Sequence, residues 1–154
     1  MKKKLLALTL GLAVTLTSAT AFAMTTQEAK NLADTFVPAD AKYSKLMRLN
    51  DEIEFYYYTS DYRYEVEFDR NREIVKGVSM ERLSPSYSTA VNISEDRAIE
   101  ILLEHYPDAK LTHISRYIES HNAIYDLEFT LENCQGEMDI LASDGTILEV
   151  DLNY

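Results

Sequence analysis

The chain has 154 residues and a formal net charge of -11, from 15 lysines and arginines against 26 aspartates and glutamates. It contains 4 glycines, 3 prolines and 1 cysteine. These values exclude a collagen-like chain, a scaffold held by several disulfides and a protein that binds nucleic acid through positive charge. We therefore predict a globular protein that folds on apolar packing alone, with no nucleic acid among its partners.

The first residues have the three parts of a secretory signal peptide. Lys2, Lys3 and Lys4 precede an apolar run over residues 5–16, and Ala21-Phe22-Ala23 is a small-x-small cleavage site. The apolar run is shorter than the roughly 20 residues that a membrane-spanning helix needs. We predict a signal peptide at 1–23, cleavage after Ala23, and a mature chain without a membrane span in the periplasm or outside the cell.

The remaining chain divides into two similar stretches joined by a polar segment. Features recur about 70 residues apart, which indicates a tandem repeat. We predict a first module at 24–82, a linker at 83–92 and a second module at 93–154. In each module a helical apolar stripe precedes segments in which apolar and polar residues alternate. The expected fold class is α+β, with two tandem modules that each pack one helix on a small antiparallel β-sheet.

The helix of the second module has the clearer signals. Ser94 is a good N-cap, Glu95 and Asp96 place negative charge in the first turn, and Pro107 ends the helix. Apolar residues at helical spacing should face the sheet in both modules. The predicted stripes are Ala29, Leu32, Ala33 and Phe36 in the first module, and Ile99, Leu102, Leu103 and Tyr106 in the second.

Four segments of the second module occur in a particular order, namely residues 93–101, 107–110, 125–129 and 143–150. In that order and spacing they resemble the PepSY domain, and the first module looks like a degenerate copy. The resemblance implies an exported, non-catalytic domain of the kind found in propeptides of thermolysin-type metallopeptidases and in cell-envelope proteins. That family has been proposed to inhibit or regulate peptidases. Because no peptidase segment occurs in the 154 residues, we expect any peptidase target to be a separate protein.

Tyrosines crowd the first hairpin, and acidic residues alternate with apolar ones in both modules. Period-two alternation directs Tyr57 to the core and Tyr56 and Tyr58 outward, beside acids. Exposed tyrosines suit protein recognition because a rigid ring buries area at low entropic cost. The alternative is cross-strand pairing that only stabilises the sheet. The candidate partner-binding residues are Tyr56, Tyr58, Glu54, Glu65, Glu67, Asp126, Glu128, Glu137 and Asp139.

The sequence contains no clear catalytic or metal motif. His105, His113 and His121 are not spaced as zinc ligands, and neither a glycine-rich phosphate loop nor a serine nucleophile elbow occurs. Residues 69–73 alternate oxygen ligands, yet they lack the glycine and the distal glutamate of a calcium loop. We predict a chain that is not an enzyme, with no catalytic residues, no metal site and no cofactor.

The leading expectation is a secreted or periplasmic binding module whose partner is a protein. A secreted peptidase, inhibited or regulated in trans, is the candidate target. The alternative is a cell-envelope sensor or buffer that binds cations or small ligands, since most of the excess negative charge follows Leu83. Cys134 occurs in a turn-like segment, where it is either inert or free to form an intermolecular disulfide, and the sequence leaves the oligomeric state open.

Overall fold

The computed structural model of the chain describes residues 24–154, so the predicted signal peptide at 1–23 lies outside the described residues. Within these residues, two helices and a short 3-10 turn accompany eight strands. The helical elements are α1 (Thr26–Ala33), the 3-10 turn (Asp34–Phe36) and α2 (Glu95–His105). The strands are β1 (Lys42–Leu49), β2 (Glu52–Tyr58), β3 (Tyr62–Asp69), β4 (Ile74–Arg82), β5 (Lys110–Glu119), β6 (Asn122–Thr130), β7 (Gln135–Leu141) and β8 (Ile147–Asn153).

All eight strands belong to one antiparallel sheet, in the order β1-β2-β3-β4-β8-β7-β6-β5. The two runs of four strands meet where β4 pairs with β8, from Gly77 opposite Asn153 to Glu81 opposite Glu149. The predicted fold class is therefore wrong, because the chain builds a single eight-stranded sheet and not two modules with separate small sheets. Pairing β4 with β8 satisfies backbone groups that two separate sheets would leave at free edges. The division into modules and a linker at 83–92 stays a prediction.

Both helices pack on the same face of this sheet. Ala29 and Ala33 of α1 join Ala98 and Leu102 of α2 in one buried cluster with inward side chains of the strands. The Thr25 hydroxyl accepts from the nitrogen of Glu28 to cap α1. No helix within residues 24–154 is long and apolar enough to span a membrane.

The apolar stripe of α2 differs from the prediction at one position. Leu103 is 41% exposed, whereas Ala98, Ile101 and Leu102 are buried. These positions follow the i, i+3, i+4 spacing as well as the predicted ones do, so periodicity alone does not select between them. Docking on β6 decides which stripe faces inward.

The inward face of the sheet is closely packed. Alternating side chains of neighbouring strands line up in rows, and the row through Phe129 includes Gly136 of β7. A Cβ atom at position 136 would overlap the Phe129 ring, so glycine is required for that ring to lie flat over β7. The full row is Leu46, Phe55, Val66, Val78, Leu152, Gly136, Phe129 and Leu111.

Candidate functional site

No helix among the described residues covers the opposite face of the sheet, which we call the outer face. Its side chains alternate along each strand with the buried apolar ones, because successive residues of a strand point to opposite faces. The outer face is dominated by acids from β2, β3, β4, β6, β7 and β8. These acids are Glu54, Glu65, Glu67, Glu81, Asp126, Glu128, Glu137, Asp139, Glu149 and Asp151.

On β6, β7 and β8 the acids of the outer face lie directly opposite one another. Like charges in this arrangement destabilise a sheet. Within residues 24–154, none of them forms an ion pair. This half of the outer face therefore carries negative charge at a cost to stability. We call the set the acidic rows, which are Asp126, Asp139 and Glu149, and Glu128, Glu137 and Asp151.

Asp139 lies at the centre of one acidic row. Burial raises the pKa of Asp139 to about 7, while a hydrogen bond donated by the Tyr117 hydroxyl to its Oδ2 at 3.1 Å acts in the opposite direction. Burial also raises the pKa of Asp126, and repulsion by Glu128 adds to that effect. One buried oxygen on each of these two aspartates, Oδ1, has no hydrogen-bond partner within the described chain. Burial without a hydrogen-bond partner makes the charged form of both carboxylates costly.

The acids on β2, β3 and β4 are better compensated. Arg63 pairs with Glu81 at 2.5 Å, and Lys76 lies 3.7 Å from Glu67. Glu54 is only 8% exposed, and its Oε2 accepts a hydrogen bond from the Tyr56 hydroxyl at 2.7 Å. Uncompensated negative charge is therefore concentrated on the half of the outer face formed by β6, β7 and β8.

Tyr56 and Tyr58 occupy the outer face, on the strand positions that alternation predicts. Both are only partly exposed, and the Lys45 ammonium lies 4.7 Å from the centroid of the Tyr56 ring. Tyr117 on β5 is a third tyrosine of this face, and sequence reasoning missed it. It follows His113 at period-two spacing along the strand, so alternation places both on the same face. The part that these tyrosines play in binding stays a prediction.

A shallow depression crosses the middle of the outer face, where β4 meets β8. Its volume is about 220 Å³, and its floor is low because Gly77 has no side chain and Ser79 a short one. Glu67, Glu137 and Asp151 line it. A second depression of about 260 Å³ shares Glu137 and extends between β6 and β7. The structure thus joins acids of both halves of the chain around one opening.

The structure brings together all the acids predicted as partner-binding residues on one face, with Glu54 largely buried. Sequence reasoning missed Glu81, Glu149 and Asp151, which complete the face on β4 and β8. Alternation within residues 147–153 marks Glu149 and Asp151 as outward. Their position at the centre of the face depends on the pairing of β4 with β8, which no local pattern indicates.

The segment that resembles a calcium loop is a polar turn. The Asp69 Oδ1 atom accepts hydrogen bonds from the nitrogens of Asn71 and Arg72, at 2.8 and 3.0 Å. These bonds, that of Arg72 first, lower the pKa of Asp69. Residues 24–154 contain no group of three or more His, Cys, Asp or Glu side chains arranged to hold a metal ion.

Comparison with known proteins identifies no family for this chain. No family model matches it, and no curated protein matches it either. Among solved structures, a candidate lipoprotein from Clostridium difficile 630 is 16% identical, with a TM-score of 0.38 over 87% of this chain and 96% of that one. A BLIP-like protein from Bacteroides fragilis NCTC 9343 is 13% identical, with a TM-score of 0.35 over 82% and 85%. A DUF2874 family protein from Bacteroides uniformis ATCC 8492 is 9% identical, with a TM-score of 0.34 over 80% and 86%.

These similarities are too weak to indicate what the chain binds. The prediction of a PepSY domain is nevertheless wrong, since no family model matches the chain. The segments at 93–101, 107–110, 125–129 and 143–150 are common local patterns of a helix, a turn and hairpins, and such patterns recur in unrelated proteins. The assignment to the PepSY family and the expected tandem repeat are therefore not supported.

Proposed function

We propose that the chain is an exported binding protein whose outer face holds a surface of another protein that is rich in lysine and arginine. The observation that carries the proposal is the pair of acidic rows, in which like charges lie opposite one another without a cation. Proteins keep locally destabilising arrangements where function needs them. A cationic partner would relieve the repulsion and donate hydrogen bonds to the carboxylates.

The chemistry of the acidic rows favours a partner that brings N–H donors. No cation of the described chain forms an ion pair with any of these six carboxylates. Lysine and arginine side chains supply several donors together with the opposite charge. Phosphate groups and anionic lipid surfaces have the wrong charge for this face, so nucleic acid and membranes are unsuitable partners.

The extent of the charged surface favours a protein over a small ligand. The acids spread from β2 to β8 and surround open depressions with no enclosing wall. Tyr56 and Tyr117 lie toward the two ends of this surface, and tyrosine is enriched in protein interfaces because its ring contributes both apolar area and a hydroxyl. The signal-like residues 1–23 support a partner in the periplasm or outside the cell. The proposal includes no catalytic step.

The proposal is tested by removing charge from the acidic rows and, separately, from helix α2. One variant combines Asp126→Asn, Glu128→Gln, Glu137→Gln and Asp139→Asn. The matched control combines Glu95→Gln, Asp96→Asn, Glu100→Gln and Glu104→Gln, which changes the net charge equally on the opposite side of the sheet. Binding of a decalysine peptide to the secreted protein is measured by calorimetry, with circular dichroism as a check on folding.

We expect the variant in the acidic rows to weaken decalysine binding by tenfold or more, an order of magnitude typical of lost charge-assisted contacts. The helix variant should weaken decalysine binding by no more than about twofold, because salt screens exposed charges that lie far from the bound peptide. Equal losses in both variants would show attraction by net charge alone and would reject the outer face as the site.

The partner is then identified by crosslinking from the outer face. A photo-crosslinker at Ser79, in the floor of the central depression, should capture a basic protein from the native secretome, and the variant in the acidic rows should lose that product. If the product is a peptidase whose activity falls when the purified chain is added, the finer prediction of inhibition in trans holds. Calorimetry with calcium tests the alternative, because saturation at one or two sites would favour a cation sensor or buffer.

A further inference from the structure

The first described residue is attached to a carboxylate far away in the sequence. The main-chain nitrogen of Met24 donates to Oε1 of Glu73 at 2.6 Å, across 49 positions. The Met24 side chain packs against the buried core, and Thr25 caps α1 immediately after it. Met24 is thus held both at its nitrogen and at its side chain.

Glu73, which accepts this hydrogen bond, has an unusual backbone conformation. It lies in the turn between β3 and β4 with φ at 56°, in the left-handed region that residues with a long side chain seldom adopt. In the turn between β7 and β8, the left-handed residue is Gly145, for which this conformation is ordinary. Unfavourable backbone conformations persist where the surrounding structure requires them, often for a functional reason.

The start of α2 offers a comparison, because there too the residue before the N-cap donates a main-chain hydrogen bond. Ile93 precedes the N-cap Ser94, as Met24 precedes the N-cap Thr25. The nitrogen of Ile93 donates to a neutral acceptor, the carbonyl oxygen of Ala142, at 3.1 Å. The acceptor for the Met24 nitrogen is a carboxylate, whereas the acceptor for the Ile93 nitrogen is a neutral carbonyl. A carboxylate is the stronger acceptor for a nitrogen that carries a positive charge.

We infer that Glu73 binds the α-ammonium group of Met24, which forms when the peptide bond between Ala23 and Met24 is hydrolysed. A water molecule adds to the Ala23 carbonyl carbon, the C–N bond breaks, Ala23 retains a carboxylate and the Met24 nitrogen is protonated. The catalyst is an endopeptidase of the exporting cell that recognises small residues at 21 and 23, as in Ala21-Phe22-Ala23.

This site joins processing to the stability of the fold. Before cleavage the Met24 nitrogen is a neutral amide with a single N–H donor. After cleavage it carries a charge and three donors, and charge-assisted hydrogen bonds are about twice as strong as neutral ones. Removal of the signal segment therefore completes the attachment of α1 to the turn between β3 and β4.

The experiment uses the full chain, expressed in a bacterial host that exports it. Intact mass and N-terminal sequencing of the exported protein should give Met24 as the first residue. Wild type, Glu73→Gln and Glu73→Gly are then compared by urea unfolding at neutral pH. The matched control is Asn50→Gly, a substitution at another residue with positive φ, in the turn between β1 and β2.

We expect Glu73→Gln to raise the unfolding equilibrium constant roughly threefold to tenfold, because the partner of the ammonium loses its charge. Glu73→Gly should raise it as well, although glycine relieves the backbone conformation. Asn50→Gly should change it by no more than about twofold. A Glu73→Gly protein as stable as wild type, or an exported chain that begins at another residue, would overturn the inference.

Alkaline pH separates the charge of the ammonium from a merely structural role of Glu73. An α-amino group has an ordinary pKa of about 8, and a carboxylate partner raises this pKa in the folded state. The stabilisation is fully present below the ordinary pKa of about 8 and is lost as pH rises through the higher folded-state pKa. The difference between wild type and Glu73→Gln should therefore shrink by about pH 10.5, and a constant difference would contradict the inference. Neither result bears on the outer face, because Glu73 lies in a turn away from it.

Discussion

Glu137 and Met138 are neighbours on β7, yet they lie on opposite faces of the sheet under opposite physical conditions. Met138 is fully buried and packs closely against the other apolar side chains of the core. Glu137 faces Glu128 on one side and Asp151 on the other, and the pKa of Glu137 is raised by burial and by these neighbours. The inward face stabilises the fold, whereas the acidic rows of the outer face oppose it.

The same contrast holds within the outer face itself. On β3 and β4, ion pairs such as Arg63 with Glu81 offset the negative charge. Across β6, β7 and β8 the described chain supplies no such cation. This difference is the reason to assign binding to the acidic rows, and it can be tested by substitutions whose effects differ in size and sign.

The largest effect is expected on the inward face. Gly136→Ala should lower the free energy of unfolding by about 1–3 kcal/mol, because the new methyl group overlaps the Phe129 ring and forces it to move. Urea unfolding followed by circular dichroism measures the loss.

Two comparisons make this test specific. In a Phe129→Leu background the loss from Gly136→Ala should be smaller, because the two sites are in contact. Gly77→Ala, on the outer face, adds a methyl group with ordinary contacts of 3.4 Å to the Leu152 carbonyl oxygen and 3.5 Å to Glu67 Oε2. It should change stability by no more than about 0.5 kcal/mol. Equal losses at the two glycines would contradict the contrast between the faces.

An effect of opposite sign is expected in the acidic rows. Because the pKa of Asp139 is raised to about 7, the folded state binds its proton more tightly than the unfolded chain, where aspartate titrates near about 3.9. Stability from this group is therefore greatest below about pH 4 and is lost as pH rises toward 7. At about pH 8, Asp139→Asn should raise the free energy of unfolding by about 1 kcal/mol.

Urea titrations between about pH 4 and pH 8 measure both the gain and the slope of stability against pH, which should flatten in Asp139→Asn. Asp108→Asn removes an equal charge from an exposed turn and should leave the slope unchanged. A variant less stable than wild type at about pH 8 would show that the Asp139 carboxylate stabilises the fold.

The smallest effect is expected on the compensated half of the outer face. Glu81→Gln breaks an exposed ion pair with Arg63 and should lower the free energy of unfolding by no more than about 0.5 kcal/mol. The loss should vanish in about 0.5 M NaCl, because salt screens exposed charges. A gain in stability as large as that of Asp139→Asn would mean that both halves of the face are equally strained.

Local patterns indicated much of the secondary structure. Alternation around Tyr57 predicted that this residue is buried while Tyr56 and Tyr58 point outward, and Tyr57 lies in the core. The same approach was wrong at Leu103, because two overlapping stripes of α2 satisfy helical spacing and only docking selects one. Cys134 belongs to a turn-like segment, yet it is buried, and burial raises the pKa of its thiol and lowers its reactivity.

The sequence by itself determined the alternation of apolar and acidic side chains, because a strand has a period of two whatever its partner. It also indicated the capped start of α2 at Ser94, since a cap depends on a few adjacent residues. Only the tertiary structure decided that β4 pairs with β8, which makes one sheet and brings the acids of both halves around Gly77. Strand partners more than 70 positions apart, such as Val78 and Leu152, leave no periodic signal, because their pairing depends on the packing of the whole core.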